Sequence, residues 1–467
     1  MKLTVLIPIA MIKTDLRASM KSLNSQKFYS ALNILGLSAG LAAFILIALY
    51  VRNEMSYDRS LPDADRVYRV VRNEYTLSPP PMAASIKESI PEIEFASRFI
   101  LGNSLLLETG GRFFTEDKYF WTDNEFLSIF PLEFIRGNSA VALESPTDIL
   151  LSESLARKYF GDNDPVGSLV TISRKDEYRV AGVFRDFPGN SHFSFNIVLP
   201  IDRYFGITGN DPASWRSNYV YTYIKLTPGA EIETVNKKYT DFEKVLTEWT
   251  PASGTPYSQY FFFQPVTEIH LFSHRKQEIE ANSDISNVYI FSSIGLLILV
   301  IAIINYINLA TAMAGKKERS MALKKILGAR KIQLARLVFI ESFLVAIASI
   351  VLAAVIAYLT LPYFNSLMDR NISIGVGDMP VIIPGLLLLA LLVGFVSGWA
   401  PSVTLTKVSL VSVLGSSTST PRGGRSLRSI LVLMQFIIAI ILIIVTINMK
   451  EQLGYISSRN PGTTRPA

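Results

Sequence analysis

The chain contains no cysteine. Disulfides, zinc–thiolate sites and thiol nucleophiles are therefore excluded, while the compartment stays open, because a disulfide-free domain can sit on either side of a membrane. Histidine is scarce, at three in 467 residues. His192 and His270 lie far apart in no metal-binding spacing and read as ordinary surface or turn histidines. No Gly-x-x-x-x-Gly-Lys-Ser/Thr loop occurs, so the chain has no P-loop to cradle ATP phosphates. Charged residues make up only 18% of the chain, against 49% hydrophobic. That balance is too apolar for one ordinary soluble domain and too polar for a chain lying wholly in a bilayer. It implies membrane spans plus a sizeable water-soluble domain.

Five segments approach the roughly 20 apolar residues that cross a bilayer. They are 31–51, 290–314, 337–361, 381–400 and 430–447. Charge orients them. Residues 1–30 carry five Lys/Arg and one acid, 315–336 carry eight and one, and 401–429 carry four and none. The segment 52–289 carries 24 basic and 33 acidic residues. Short basic loops stay in the cytoplasm. The expected topology puts the N-terminus, 315–336 and 401–429 inside, and 52–289 outside with the tail 448–467. The net charge of +6 is then mostly a topology signal, and no nucleic-acid partner is needed to explain it. Within 1–30, Ile12, Leu16, Met20 and Leu23 share one helical face among Lys and Arg, which reads as an interfacial helix resting on lipid. Met11 is an alternative start.

The outer segment is long enough for one or two cores. "RVYRVVRNEYTL" and "EYRVAGVFRDF" read as strands, and "ESLARKYFG" and "ETVNKKYTDFEKVLTEW" as helices. Interspersed strands and helices predict an α+β domain. No Gly-x-Ser-x-Gly elbow occurs there and no catalytic constellation is evident.

The basic stretch "KKERSMALKKILGARKIQLARLVFIES" (316–342) joins two expected spans. Met321, Ala322, Ile326 and Ala329 predict an apolar stripe, with Lys324, Lys325 and Arg319 projecting elsewhere. Gly328 is a poor helix former and predicts the end of the first helix, with a second beginning near Lys331. Glu341 falls about five residues into the next span. Ionised groups in lipid face protein or the interface, so Glu341 is expected either near the headgroups, bonding Arg336 or a backbone amide, or packed within the membrane, locking this basic stretch to the second span. Asn305 and Asn308 share a face with Thr311 and predict helix–helix packing, or a seam between two copies of the chain.

Several stretches resemble the FtsX-like/MacB-type permease family of ABC transporters. They are "ALNILGLSAGLAAFILIALYVRNEMSYDR" with "DADRVYRVV", "LLSESLARKYFGDNDPVGSLVTI" (150–172), "INYINLATAMA" (304–314), "RSMALKKILGARKIQLARLVFIES" and "SGWAPSVTLTKVSLVSVL" (397–414). Ser320 departs from the family's usual acid, and Leu410 from a common proline. The fifth span, with weak similarity between "SLNSQKFYSALNILG" and "RSLRSILVLMQF", resembles the opening of a second copy of the same unit, as in eight-helix members.

The resemblance implies an α-helical membrane protein of the bacterial inner membrane with a MacB-like α+β outer domain. It implies that Arg319, Met321, Lys324, Lys325, Ile326, Gly328, Ala329 and Arg330 form a coupling segment for a cytoplasmic ABC ATPase. That partner would hold ATP and Mg, with no cofactor on this chain. A permease dimer or second half-unit, a periplasmic adaptor and membrane lipid are the other implied partners. The implied activity is ATP-driven export or release of a substrate such as a peptide, antibiotic or lipoprotein. The alternatives are an FtsX-like regulator of cell-wall hydrolases and a transmembrane sensor.

Overall fold

The computed structural model describes residues 3–139, 142–248, 261–406 and all but six positions of 429–451. The chain divides into two compact units, Met1–Val51 with Tyr289–Ala467, and Arg52–Val288. It opens with helices α1 (Leu3–Ser25) and α2 (Lys27–Met55).

The unit Arg52–Val288 is built on a twelve-stranded mixed sheet. Its strands are β1 (Val67–Arg72), β2 (Ile93–Gly102), β3 (Leu105–Thr109), β4 (Arg112–Glu116), β5 (Tyr119–Thr122) and β6 (Phe134–Gly137), followed by β7 (Asp148–Ser152), β8 (Leu169–Ile172), β9 (Asp176–Phe184), β10 (Ile197–Pro200), β11 (Tyr221–Leu226) and β12 (Phe261–Pro265). The order is β12-β1-β11-β2-β5-β10-β7-β9-β8-β3-β4, with β6 paired to β9. The β5–β10 and β7–β9 pairs are parallel and the others antiparallel. Helices α3 (Met82–Ser89), α4 (Phe126–Ile129), α5 (Glu153–Phe160), α6 (Ile201–Thr208), α7 (Ile232–Glu248) and α8 (Ile269–Phe272) are interspersed. The four sequence-predicted elements fall on β1, β9, α5 and α7.

Helices on a sheet bury a hydrophobic face of each. One core joins Ile149, Leu151, Tyr178, Val180, Ile197 and Leu199 to Leu155 and Tyr159 of α5. A second is aromatic: Phe99 stacks on Tyr221 and Tyr223, with ring centroids 5.2 and 5.4 Å away, and meets Phe120 and Phe126 edge-on. These staggered and edge-on pairs suit the ring quadrupoles.

The other unit continues with α9 (Ile285–Ala312), α10 (Ala314–Ile326), α11 (Lys331–Met368) and α12 (Met379–Thr406). Among the described residues four helical stretches are long and apolar enough to cross a membrane: Lys27–Met55, Ile285–Ala312, Lys331–Met368 and Val376–Val403. This corrects the expectation of five. Of the segment 430–447, the continuous apolar helix among the described residues is Val432–Ile441, and positions 431, 442, 445 and 446 lie outside the described residues.

Between apolar helices in lipid, association depends on close packing, which small residues permit. On α11, Ser342, Ala346, Ser349, Ala353 and Ala357 form a buried stripe of small residues at helical spacing. Gly36 and Gly40 on α2, and Gly394 and Gly398 on α12, are each four residues apart. A methyl group on Gly40 would sit 2.5 Å from Ala302 Cβ of α9, and one on Gly398 would sit 2.8 Å from Phe339 Cδ1 of α11. Both separations are shorter than van der Waals contact, so these two glycines set how closely their helices approach.

Candidate coupling site

Helix α10 ends where Gly328 takes φ of +92°. The Gly328 N–H donates to the Lys325 carbonyl at 3.1 Å, and the Ala329 N–H donates to the Lys324 carbonyl at 3.0 Å. This pair of bonds is a Schellman motif, which satisfies carbonyls that the helix end would leave without donors. Helix α11 restarts at Lys331, where Gln333 Oε1 accepts from the Arg330 N–H at 2.8 Å.

The turn folds α10 back on α11. Met321 packs with Leu334 and Val338, and Ala329 and Leu337 border the cluster. The predicted stripe is therefore split: Met321 and Ala322 are buried and Ala329 half-buried, whereas Ile326 faces out. The apolar face left uncovered is Leu323, Ile326 and Leu327, at i, i+3 and i+4, with Leu327 86% exposed. Lys324 and Lys325 are half-buried and Arg330 is exposed. The side chain of Arg319 lies outside the described residues.

Arg336, the expected partner of Glu341, is ion-paired with Asp15 of α1 at 2.5 Å. Ser19, one turn further along α1, points its Oγ at the Leu337 carbonyl, 3.5 Å away. The predicted interfacial helix therefore packs against α11, with Leu16 and Met20 exposed and Leu23 against the helical core. Asp15 is the one acid among five basic residues in 1–30, a signal the periodicity reading passed over. Glu341 lines a cavity of about 40 Å³ with Gln26, Tyr29, Ser30, Asn33 and Ser342. Asn305 reaches toward α2: a methyl on Gly36 would lie 3.5 Å from its Nδ2. Asn308 is half-buried, and its Oδ1 has no hydrogen-bond partner among the described residues. Thr311 Oγ1 donates to the Ile307 carbonyl within its own helix at 2.7 Å.

In the sheet unit, the histidines overturn the surface reading: His192 is 3% exposed and His270 2%. Each meets a buried carboxylate from the short segment 54–58. His270 Nε2 lies 3.0 Å from Glu54 Oε2, and its ring stacks on Tyr57. His192 bridges, with Nδ1 2.8 Å from Asp58 Oδ1 and Nε2 2.8 Å from the Tyr223 hydroxyl. Burial pushes the Tyr223 phenol far above its ordinary range. Fully buried Arg69 on β1 donates to Glu278 at 2.7 and 3.0 Å and to Gln264 at 2.9 Å. Buried charges are tolerated when paired and hydrogen-bonded in this way. Sequence spacing could not reveal these pairs, because each partner comes from a distant segment. Among the described residues no group of three or more His, Cys, Asp or Glu is arranged to hold a metal ion.

Residues 30–242 match the family described as MacB-like periplasmic core domain, and 292–410 match the FtsX-like permease C-terminal family. The chain is similar to the macrolide export ATP-binding/permease protein MacB of Mannheimia succiniciproducens. Identity is 22% over 323 residues, covering 67% of this chain and 45% of that protein. The chain is also similar to the protein of the same name from Aggregatibacter actinomycetemcomitans, with 24% identity over 261 residues, covering 52% of this chain and 35% of that one. The chain thus spans less than half the length of these curated relatives. Among solved structures, the periplasmic region of MacB from Actinobacillus actinomycetemcomitans is similar over 45% of this chain and 92% of its own, at 16% identity and a TM-score of 0.35.

Proposed function

The chain belongs to the FtsX-like/MacB-type permease family of ABC transporters, and we propose that it passes ATP-driven motion of a separate ATPase across the inner membrane to its outer domain. The single observation that carries the reading is the uncovered face of Leu323, Ile326 and Leu327 on a short helix closed by the Gly328 turn. Apolar side chains at i, i+3 and i+4 fit a groove on a partner protein. Each leucine or isoleucine fully buried on docking contributes roughly 1.5–3 kcal/mol. Lys324, Lys325 and Arg330 flank that face and would meet acidic groups at the groove's rim. The charge balance of the loops supports placing this segment, and the N-terminus, in the cytoplasm.

ATP and its magnesium ion would be held by the partner, since this sequence contains no P-loop. This chain would act mechanically: α10 receives the push, α11 and the helices packed on it carry it, and the outer domain changes shape to release a substrate. The curated relatives are named for macrolide export, which favours export over regulation of cell-wall hydrolases. The test is ATP hydrolysis by a P-loop ATPase reconstituted with this chain in proteoliposomes. Leu327→Asp, an exposed change that leaves the helical core alone, should lower the stimulation of hydrolysis while membrane insertion is unchanged. Full stimulation by this variant would contradict the docking face.

A further inference from the structure

Three stripes run side by side along α1, each a pair of residues four apart. Asp15 and Ser19 face α11, through the ion pair with Arg336 and the contact of Ser19 Oγ with the Leu337 carbonyl. Leu16 and Met20 lie about 100° further round the helix and are 39% and 56% exposed. Arg17 and Lys21 lie about another 100° round and are exposed. Asp15, the single acid in residues 1–30, is taken up by Arg336, so no carboxylate of α1 offsets these two cations.

Two observations set the depth of this face. The residues of α11 that α1 meets, Arg336 and Leu337, stand where the apolar run 337–361 begins. Two residues past the end of α1, Lys27 opens α2, whose length and apolarity suit a membrane span. Both put α1 at the level of the lipid headgroups, where a helix with one apolar and one cationic stripe settles on anionic lipid. Each Lys or Arg held near such a surface is drawn to it electrostatically. An acidic protein partner would satisfy Arg17 and Lys21 but leave Leu16 and Met20 facing water. A neutral lipid would cover Leu16 and Met20 but leave the two charges unbalanced.

We propose that the exposed face of α1 binds anionic phospholipid, Arg17 and Lys21 donating to the headgroup phosphate and Leu16 and Met20 meeting the upper part of the acyl chains. The surface lies wholly within the unit formed by Met1–Val51 and Tyr289–Ala467 and does not depend on ATPase docking.

Because the chain has no cysteine, a single Met20→Cys takes one fluorescent label. The labelled full chain is reconstituted, without an ATPase, into vesicles of equimolar phosphatidylcholine and phosphatidylglycerol, with quenching bromines on the acyl chains of one lipid or the other. Brominated phosphatidylglycerol should quench the label roughly fivefold more strongly than brominated phosphatidylcholine, the scale of one Lys or Arg near an anionic surface. Replacing both cations, Arg17→Gln with Lys21→Gln, changes only exposed side chains and should bring the two lipids level while quenching persists. A label on Ala18→Cys, exposed on the opposite side of the helix, should be quenched little by either lipid. Equal quenching by the two lipids at Met20, a preference that survives loss of both cations, or quenching at Ala18 as strong as at Met20 would overturn the proposal.

Discussion

Asp15 on α1 and Arg336 on α11 form an ion pair 2.5 Å long, at the point where α11 leaves the Gly328 turn. The pair is partly shielded from water, with side chains 23% and 36% exposed. It fixes the N-terminal helix to the first turns of α11.

Asp15→Lys replaces this attraction by repulsion. A partly exposed pair contributes about 0.2–1 kcal/mol, and losing it should lower the midpoint of thermal unfolding by roughly 1–4 °C. Combining Asp15→Lys with Arg336→Asp should restore most of the loss. Differential scanning fluorimetry in detergent measures both. A double variant no better than the single one would show that the charges do not act as a pair.

Gly328 needs its left-handed backbone and little else, since nothing lies within 4 Å of where its Cβ would be. Gly328→Ala should therefore add roughly 1–2 kcal/mol of backbone strain with no clash. Gly328→Asn should cost less, because asparagine tolerates positive φ better. Gly328→Pro fixes φ at the wrong sign and removes the N–H bonded to Lys325. Stimulation of the partner ATPase should fall in the order glycine, asparagine, alanine, proline. A tolerated proline would refute the need for this turn.

Gly398→Leu forces a side chain against Phe339 and against Ser342, whose Cβ would lie 3.2 Å away. Overpacking of this kind costs about 1–3 kcal/mol. Adding Phe339→Ala should recover part of the loss by opening space on α11. Thermal unfolding of the two single variants and the double variant forms a double-mutant cycle that reads the contact directly. Strict additivity would place the strain elsewhere.

In the sheet unit, burial pushes the Tyr221 phenol from 10.0 up to about 12. The unfolded phenol loses its proton near pH 10, while the folded one keeps it until about pH 12. Its contribution to stability is thus complete below pH 10 and declines as pH rises between those values. Tyr221→Phe should flatten the decline, and should lose at neutral pH the bond its hydroxyl donates to the Gln277 carbonyl at 2.8 Å, worth about 1 kcal/mol. Circular dichroism across pH 9–12 checks the difference. Superimposable alkaline profiles would contradict it.

Strands β1 and β9 were legible because β-branched and aromatic residues dominate them, and the break at Gly328 because a glycine interrupts two helical patterns. The direction in which α10 faces was not legible. Met321 and Ile326 are equally apolar, and only packing on Leu334 and Val338 decides that Met321 turns in. The buried histidines were misread for a related reason. His192 and His270 look polar and isolated in sequence, and Asp58, Tyr223 and Glu54 become their partners only in the fold. The glycine pairs at 36 and 40 and at 394 and 398 were in plain view, and their spacing alone could have marked the closely packed helices.

The most direct test of the coupling account exploits the absence of cysteine. A single Leu327→Cys gives the chain one thiol on the uncovered face of α10. In membranes holding the chain and a P-loop ATPase, a short thiol cross-linker should join Cys-substituted chain to ATPase, and a cysteine replacing buried Ala322 should react poorly. Stimulated hydrolysis without any Leu327→Cys cross-link would contradict docking through Leu323, Ile326 and Leu327.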